Sequence, residues 1–482
     1  MHTSNDERHG HGDVRTVKAL HHRFQQAGVR RACIVLREGE YRLFVDRMNA
    51  DAPPLLPVLS PYLPPPGEWE HEAVFIGRPS DEHPEIDTLF FAFVHNTQRG
   101  LAQGGLRLRD YSEIGELEKL FEDGLRLSQG MTMKNAMARL WWGGGKGIIA
   151  ETPDLAPRIR RAKNGAAGGD AAYPQLRAAL FEEYGRFVSE IGGVYYTAAD
   201  MNTDGRDMLC VLRATRFVTC LPPSAGGSAD PSPFTADGVF CSIKAAWKFL
   251  GGTDSLRDVR VAVQGAGKVG GPLVMDLLQA GARVWAGDTS PQTLEALAGR
   301  AEAEGADLAR LTLVRLTDDR DLILRGEAED PDAILRQEVD VIAPCAGGQT
   351  INHDTIAQFA RTVKLVCGAA NNMLGDEDAD AALLHERAVC YVPDFVCNRM
   401  GIMNCADEWM GYLEADSRTE VERVVSDVEE IVGEWKNGGT PTLQKGREMA
   451  LRRLAEEHPL ERMHGRGAKL LENYLRGLTS AP

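Results

Sequence analysis

None of the nine cysteines stands at the CxxC spacing of redox or zinc sites, and no uninterrupted apolar stretch reaches the roughly 20 residues that a bilayer span requires. The odd cysteine count, and settings such as Val366-Cys367 and Val389-Cys390 within apolar runs, argue against a secreted disulfide framework and fit a reducing compartment. Positive charge is also short: 54 Lys and Arg against 70 Asp and Glu leave a formal charge of −16, which a phosphate surface repels unless basic residues are segregated. The clusters Arg158 to Arg161 and Arg452-Arg453 are brief and lie among mixed charges, so neither nucleic acid nor membrane is expected as a partner. The first thirty residues carry His, Arg and Asp where a signal peptide needs an apolar run, and a cytoplasmic protein is therefore expected. His2, His9 and His11 stand in a polar, Gly-containing opening stretch, and no metal site is expected from them.

What is present is chain enough for two cores, since 482 residues exceed one ordinary compact domain. Loose alternation from Arg31 to Val45 predicts a hairpin turning at Glu38-Gly39-Glu40, and the proline-rich run Pro53 to Pro66 predicts an extended linker. Residues 1–85 are thus expected to form an N-terminal extension. A strand is predicted at Thr88 to Val94. After it Ser112 is placed to cap a helix carrying Leu117, Leu120, Phe121 and Leu125 at helical spacing. Leu180, Tyr184, Phe187, Val188 and Ile191 predict a second helix, which Gly192-Gly193 ends before a strand at Val194 to Ala198. Between these helices, Arg158 to Asp170 reads as a surface loop. Pro222-Pro223 and the Ser/Gly/Pro-rich run to Pro233 mark a boundary, so that a first domain covers 86–230 and a second 231–419. In the second, apolar strands (Val259 to Val263, Arg283 to Trp285, Val339 to Ala343, Leu365 to Val366, Val389 to Val392) alternate with helices, the pattern of a parallel sheet covered on both faces. The helical pattern from Val421 to Trp435 ends at Asn437-Gly438-Gly439, and residues 420–482 are expected to return to the first domain.

The clearest chemical signature is VRVAVQGAGKVGG, a strand followed by Gly265, Gly267 and Gly270 and then by a helix. This spacing suits a dinucleotide. Gly265 permits a tight turn, Gly267 lets main chain approach the pyrophosphate, and Gly270 lets helix and strand pack closely. Lys268 and Val269 lie within the same loop and are counted with the cofactor-binding residues. Asp288 ends the next strand, where a carboxylate accepts hydrogen bonds from a free ribose 2′-hydroxyl and repels a 2′-phosphate, so NAD is the expected cofactor.

In the first domain, LWWGGGKGII lacks the spacing and the hydroxyl of a P-loop, so Lys146 calls for another use. Held by a glycine-rich turn among Trp141, Trp142, Ile148 and Ile149, it would be poorly solvated, and desolvation brings a lysine toward the range in which it serves as a base. Lys134 in GMTMKNAM is a second cation twelve residues earlier. Asp200 in YYTAADMNTD follows a strand end, a common station for catalytic carboxylates in α/β enzymes.

In chain order, the motifs GGLRLRDY, GMTMKNA, GGGKGII, TAADMNTDGRDM, PSPFTADGV, VQGAGKVGG, APCAGGQTIN, GAANNML and PDFVCNRMGIMNCADEW make the chain resemble the glutamate/leucine/phenylalanine/valine dehydrogenase family. The resemblance runs from about Thr88 to the C-terminal helices. It implies an α/β fold of two domains, a split substrate and oligomerisation domain and a Rossmann-like NAD-binding domain, in a homo-oligomer. It further implies that an L-amino acid is oxidised to its 2-oxo acid and ammonia, reversibly. Under it Lys134 grips the α-carboxylate, Lys146 is the general base for water, and Asp200 carries protons to and from the amino nitrogen. Gly104 and Gly105 let main chain approach the substrate, Thr235 and Asn371 help place the nicotinamide half, and Ala346 joins the cofactor-binding set.

Glutamate-using members carry a lysine before the Gly-Gly pair and a serine late in the Pro-Asp motif; here those places hold Gln103 and Cys405. Ile402 and Ala198 match positions that line an apolar pocket in leucine-type members, so an apolar substrate is expected. Two departures stand out. Asn398-Arg399-Met400-Gly401 replaces Asn-Ala-Gly-Gly, putting two large residues beside the expected pocket, where Arg399 could supply a cation; Trp142 replaces a smaller ring or a leucine. A non-catalytic binder of dinucleotide or amino acid is the alternative, favoured by Arg399-Met400 and opposed by the joint retention of Lys134, Lys146 and Asp200. A hydroxy-acid dehydrogenase leaves the lysine pair without a role.

Overall fold

A computed structural model describes residues 14–111, 116–159, 174–406, 408, 411–456 and 466–481, which places the expected cap Ser112, the N-terminal histidines and most of the 158–170 loop outside the described residues. Strands β1 (Arg31–Arg37) and β2 (Glu40–Val45) are joined by Glu38 and Gly39, both at positive φ (53° and 80°), the two-residue turn whose twist matches paired strands. The hairpin is not an appendage. β1 pairs with β3 (Ala73–Gly77), β3 with β4 (Phe90–Asn96), and β4 with β6 (Gly143–Glu151), all antiparallel, while β5 (Ala102–Asp110) runs parallel to β6 and to β7 (Tyr195–Ala199). With β14 (Thr479–Ala481) beside β2, one eight-stranded sheet results in the order β14-β2-β1-β3-β4-β6-β5-β7.

Period-two alternation in strand β4, buried up to its last residue, divides its aromatics between two layers. Phe91 and Phe93 meet Phe121 of the Glu116–Met137 helix edge-on, and Phe90 meets Tyr184 of the Gln175–Glu190 helix. Val17, Leu20 and Phe24 of the Val17–Gln26 helix join the first layer with Ile34, Val74 and Ile76, so residues expected to be an extension supply part of the core. Pro53 to Pro66 is not an extended linker either. It contains a short helix, Leu56–Leu59, and a 3-10 turn, Ser60–Tyr62, with Leu55 and Leu59 buried and Tyr62 stacked on Phe121.

The second sheet is wholly parallel: β8 (Arg260–Gln264), β9 (Arg283–Asp288), β10 (Leu311–Arg315), β11 (Val341–Pro344), β12 (Leu365–Val366) and β13 (Cys390–Tyr391), in the order β10-β9-β8-β11-β12-β13. Counted from β8 this is 3-2-1-4-5-6, the doubly wound arrangement whose order reverses between β8 and β11. β10 is a half-exposed edge strand that the hydrophobic pattern does not announce.

Contacts divide the chain into two compact units, the described residues up to Thr132 with Trp141–Ala229 and those from Ala455 on, and Met133–Leu140 with Asp230–Leu454. Helices Val421–Lys436 and Thr442–Leu454 therefore belong to the second unit rather than returning to the first at residue 420. Gly433 lies against Phe249, and Gly446 against Phe395, which explains the assignment. Among the described residues no helix is long and apolar enough to cross a membrane, and all nine cysteines are free.

Candidate active site

Parallel register sets Gln103 of β5 beside Gly144 of β6 and Tyr196 of β7, and Gly105 beside Ala198. Register partners share a face, so Gln103, Gly105, Arg107, Gly144, Lys146, Tyr196 and Ala198 stand on one side of three strands. Lys146 thus occupies a buried strand and not the turn expected from its glycines. Those glycines clear space: a Cβ on Gly144 would come within 2.0 Å of Thr132 Oγ1, one on Gly147 within 2.2 Å of the Tyr184 hydroxyl, and one on Gly104 within 1.7 Å of Gly145 O. On Gly105 a Cβ would lie 2.7 Å from that of Asp200.

Asp200 follows the last residue of β7 and receives a hydrogen bond from Lys146 Nζ at 2.5 Å and one from Arg107 Nε at 3.4 Å. Burial alone would raise the Asp200 carboxyl. Lys146 and Arg107 outweigh it and hold the group well below the usual carboxylate range. Arg107 and Arg109, two residues apart on β5, both donate to Asp123 (3.2 and 3.0 Å), as does the Tyr111 hydroxyl. Arg107 and Asp123 carry no role expected from the sequence, and two arginines at i, i+2 alternating with the leucines of β5 are the available signal.

The motif after β7 explains how Asp200 is held. Its N–H donates to Thr203 Oγ1 (2.8 Å), whose hydroxyl donates to Leu106 O (3.0 Å). Asn202, in the left-handed region (φ 61°), donates its side-chain amide to Leu108 O. Asp204 caps the Gly205–Leu212 helix in a capping box with Asp207, and Arg177 grips Asp207 with two bonds of 2.7 and 2.8 Å.

Gln103 is 2% exposed, and its Oε1 has no hydrogen-bond partner in the protein. Tyr196 beside it is stacked by Trp142, with ring centroids 5.5 Å apart, so the unusual tryptophan buttresses the site face from the flank.

The remaining candidates lie in the second unit. Lys134, in the last turn of its helix, donates to Asn371 Oδ1 at 3.2 Å, and Asn398 Nδ2 donates to the same oxygen at 3.0 Å. Ile402 and Cys405 are buried three residues apart on the Met400–Ala406 helix, and Thr235 Oγ1 packs where a Cβ on Gly401 would stand, donating to Pro231 O. Arg399 does not supply a pocket cation. It is 1% exposed and bound to Asp427, Arg423 O and Val396 O. Met400 packs on Gly238, so both large residues turn into the core and leave the polar face of this segment to Asn398.

The loop after β8 has the shape expected of a dinucleotide cradle. Gly265 sits at φ 91° against Ala346, a Cβ on Gly270 would strike Gly265 O at 1.8 Å, and Gly267 has nothing within 4 Å of where its Cβ would be. No side chain caps the Gly270–Gln279 helix at Val269; Gly271 N–H donates to Gly267 O at 2.9 Å, and the helix N-terminus presents its positive dipole end at this loop. Lys268 pairs with Asp230 in solvent at 3.3 Å. Asp288 accepts from the N–H groups of Ala266 and Ser290, each at 2.8 Å, which fixes the carboxylate and leaves lone pairs for ribose hydroxyls. These residues fit a dinucleotide. Among the described residues no group of three or more His, Cys, Asp or Glu side chains could hold a metal ion.

The fold and these sites define a two-unit α/β oxidoreductase built for a dinucleotide. The chain belongs to the Glutamate/Leucine/Phenylalanine/Valine dehydrogenase family: the profile of that name matches residues 226–463, and the family's dimerisation domain matches residues 88–158. Leucine dehydrogenase of Bacillus subtilis is 36% identical over 380 residues, 79% of this chain and 90% of the relative. Phenylalanine dehydrogenase of Thermoactinomyces intermedius is 33% identical over 397 residues, 82% of this chain and 94% of the relative. The crystal structure of L-tryptophan dehydrogenase from Nostoc punctiforme superposes with a TM-score of 0.57 at 29% identity, covering 80% of this chain and 97% of that one.

Proposed function

We propose that this protein catalyses the reversible, NAD-dependent oxidative deamination of an apolar L-amino acid to its 2-oxo acid and ammonia. The observation that carries the reading is the pairing of buried Lys146, on the strand face shared with Gln103 and Ala198, with the partly exposed Asp200, in a chain of this dehydrogenase family. Lys134 binds the α-carboxylate. NAD held by the Gly265–Gly270 loop and Asp288 would supply the acceptor for the hydride that Cα gives up. Lys146 removes a proton from the water that attacks the resulting imine carbon, and Asp200 carries protons to and from the nitrogen as ammonia departs. NAD rather than NADP is favoured by the oriented Asp288 carboxylate. The match of residues 88–158 to a dimerisation domain supports a homo-oligomer, and nine free thiols suit the cytoplasm.

One observation favours a second reading of the substrate. A buried Gln103 amide with an unpaired oxygen suits a side chain that is mainly apolar yet carries one hydrogen-bond donor, and the Nostoc punctiforme relative is named for an amino acid of that kind. The test is NADH formation, followed by absorbance, with a panel of L-amino acids; cofactor binding without turnover of any of them would make the chain a binder and not an enzyme.

A further inference from the structure

The departure at Arg399-Met400 has a partner 28 residues on. Asp427, on the Val421–Lys436 helix, accepts from Arg399 (2.5 Å) and, through both oxygens, from Arg453 of the Thr442–Leu454 helix (2.9 and 2.6 Å). All three side chains are buried, Arg399 at 1%, Asp427 at 4% and Arg453 at 6% exposure. Arg453 also donates to Met137 O at 2.9 Å, a carbonyl at the end of the helix on which Lys134 stands one turn earlier. On the other side, Arg399 follows Asn398, whose amide shares the Asn371 oxygen with Lys134. Two arginines on one buried carboxylate are a poor source of stability, because desolvation consumes most of the attraction, but a good source of fixed geometry.

We propose that Asp427 is a positioning residue for substrate-carboxylate binding: by gathering Arg453 and Arg399 it fixes, from opposite sides, the helix end that carries Lys134 and the Asn398–Asn371 pair that orients its ammonium. This rests on the reading of Lys134 as the carboxylate ligand. Loss of the clamp loosens the lysine without touching the reacting atoms, and so shows in substrate KM more than in kcat.

The experiment compares Asp427→Asn, Arg453→Lys and Lys134→Ala in the full-length protein, measuring KM for the best amino acid, kcat, NADH affinity and thermal unfolding. Arg453→Lys keeps a cation beside Asp427 but loses the fork that reaches both Asp427 and Met137 O, so it decides the matter should Asp427→Asn not fold. The expected result is a KM raised at least ~tenfold in the folded clamp variants, with kcat within about threefold and NADH affinity unchanged. A raised KM in Lys134→Ala with wild-type KM in the folded clamp variants overturns the positioning role alone. A wild-type KM in Lys134→Ala overturns the reading of Lys134, and the proposal with it.

Discussion

Lys146 Nζ donates to Asp200 Oδ2 across 2.5 Å, from the interior of β6 to the first residue beyond β7. Two groups expected to act in turn on water and on nitrogen are thus each other's partner, with Arg107 as a second cation on the carboxylate. Replacing Lys146 by Ala is expected to lower kcat by ~10² to 10⁴, the usual contribution of a positioned acid or base. NADH affinity should stay near wild type, because the glycine cradle and Asp288 belong to other elements. Steady-state rates and NADH titration check this; near-wild-type turnover removes Lys146 from the mechanism.

The preference for NAD over NADP is expected to be at least ~tenfold in kcat/KM, since the Asp288 carboxylate meets either a free 2′-hydroxyl or a 2′-phosphate of like charge. Its bonds to Ala266 and Ser290 N–H groups hold it at the end of β9. Asp288→Ser should narrow the ratio mainly by weakening NAD. Equal kcat/KM for both cofactors in the wild type would sink the assignment.

Buried His95 and half-buried His71 form an edge-to-face pair, 4.8 Å between centroids, with His95 on Thr132 and His71 on Ser128 and Leu125 O. Burial pushes His71 down to about 4, against the pull of the Leu125 carbonyl, and burial with His71 nearby pushes His95 down to about 3. The folded protein therefore refuses protons that the unfolded chain accepts below about pH 6.5, so stability is full above that value and falls as pH drops toward 4. Urea midpoints at pH 7 and pH 5 should fall more for wild type than for His71→Gln/His95→Gln. An equal fall in both proteins would show that other groups govern acid stability.

Much of this architecture is legible locally. The Glu38-Gly39 turn, the alternation in β4 and the GAGKVGG loop each carry their cause within a few residues. What is not legible depends on distant partners. β3 is five residues long and gains its place only by lying between β1 and β4, and β10 exposes most of its residues at a sheet edge. The glycines around Lys146 resemble a turn until the hydroxyls of Thr132 and Tyr184 are seen to require their space. Arg399 reads as a pocket cation because nothing near it in sequence reveals Asp427.

That last point bears on the substrate. A γ-carboxylate facing the neutral Gln103 amide would lose its hydration without gaining a cation from it, and Arg399, the cation the sequence suggests, is committed to Asp427 inside the second unit. Burying an unpaired carboxylate costs several kcal/mol, roughly what separates a good substrate from a negligible one, so glutamate should be poor beside leucine, valine or phenylalanine. Gln103 itself distinguishes the two readings of the side chain. If the substrate is wholly apolar, Gln103→Leu removes a buried orphan oxygen and leaves or improves kcat/KM. If the substrate carries a donor, the same change costs about tenfold or more for that substrate alone, the usual consequence of stranding a polar group. Gln103→Lys restores the cation and is expected to raise glutamate turnover relative to leucine. Measured kcat/KM for leucine, valine, phenylalanine, tryptophan and glutamate with the three proteins decides among these outcomes, and a wild-type preference for glutamate of ~tenfold would show that a cation other than Arg399 serves this site.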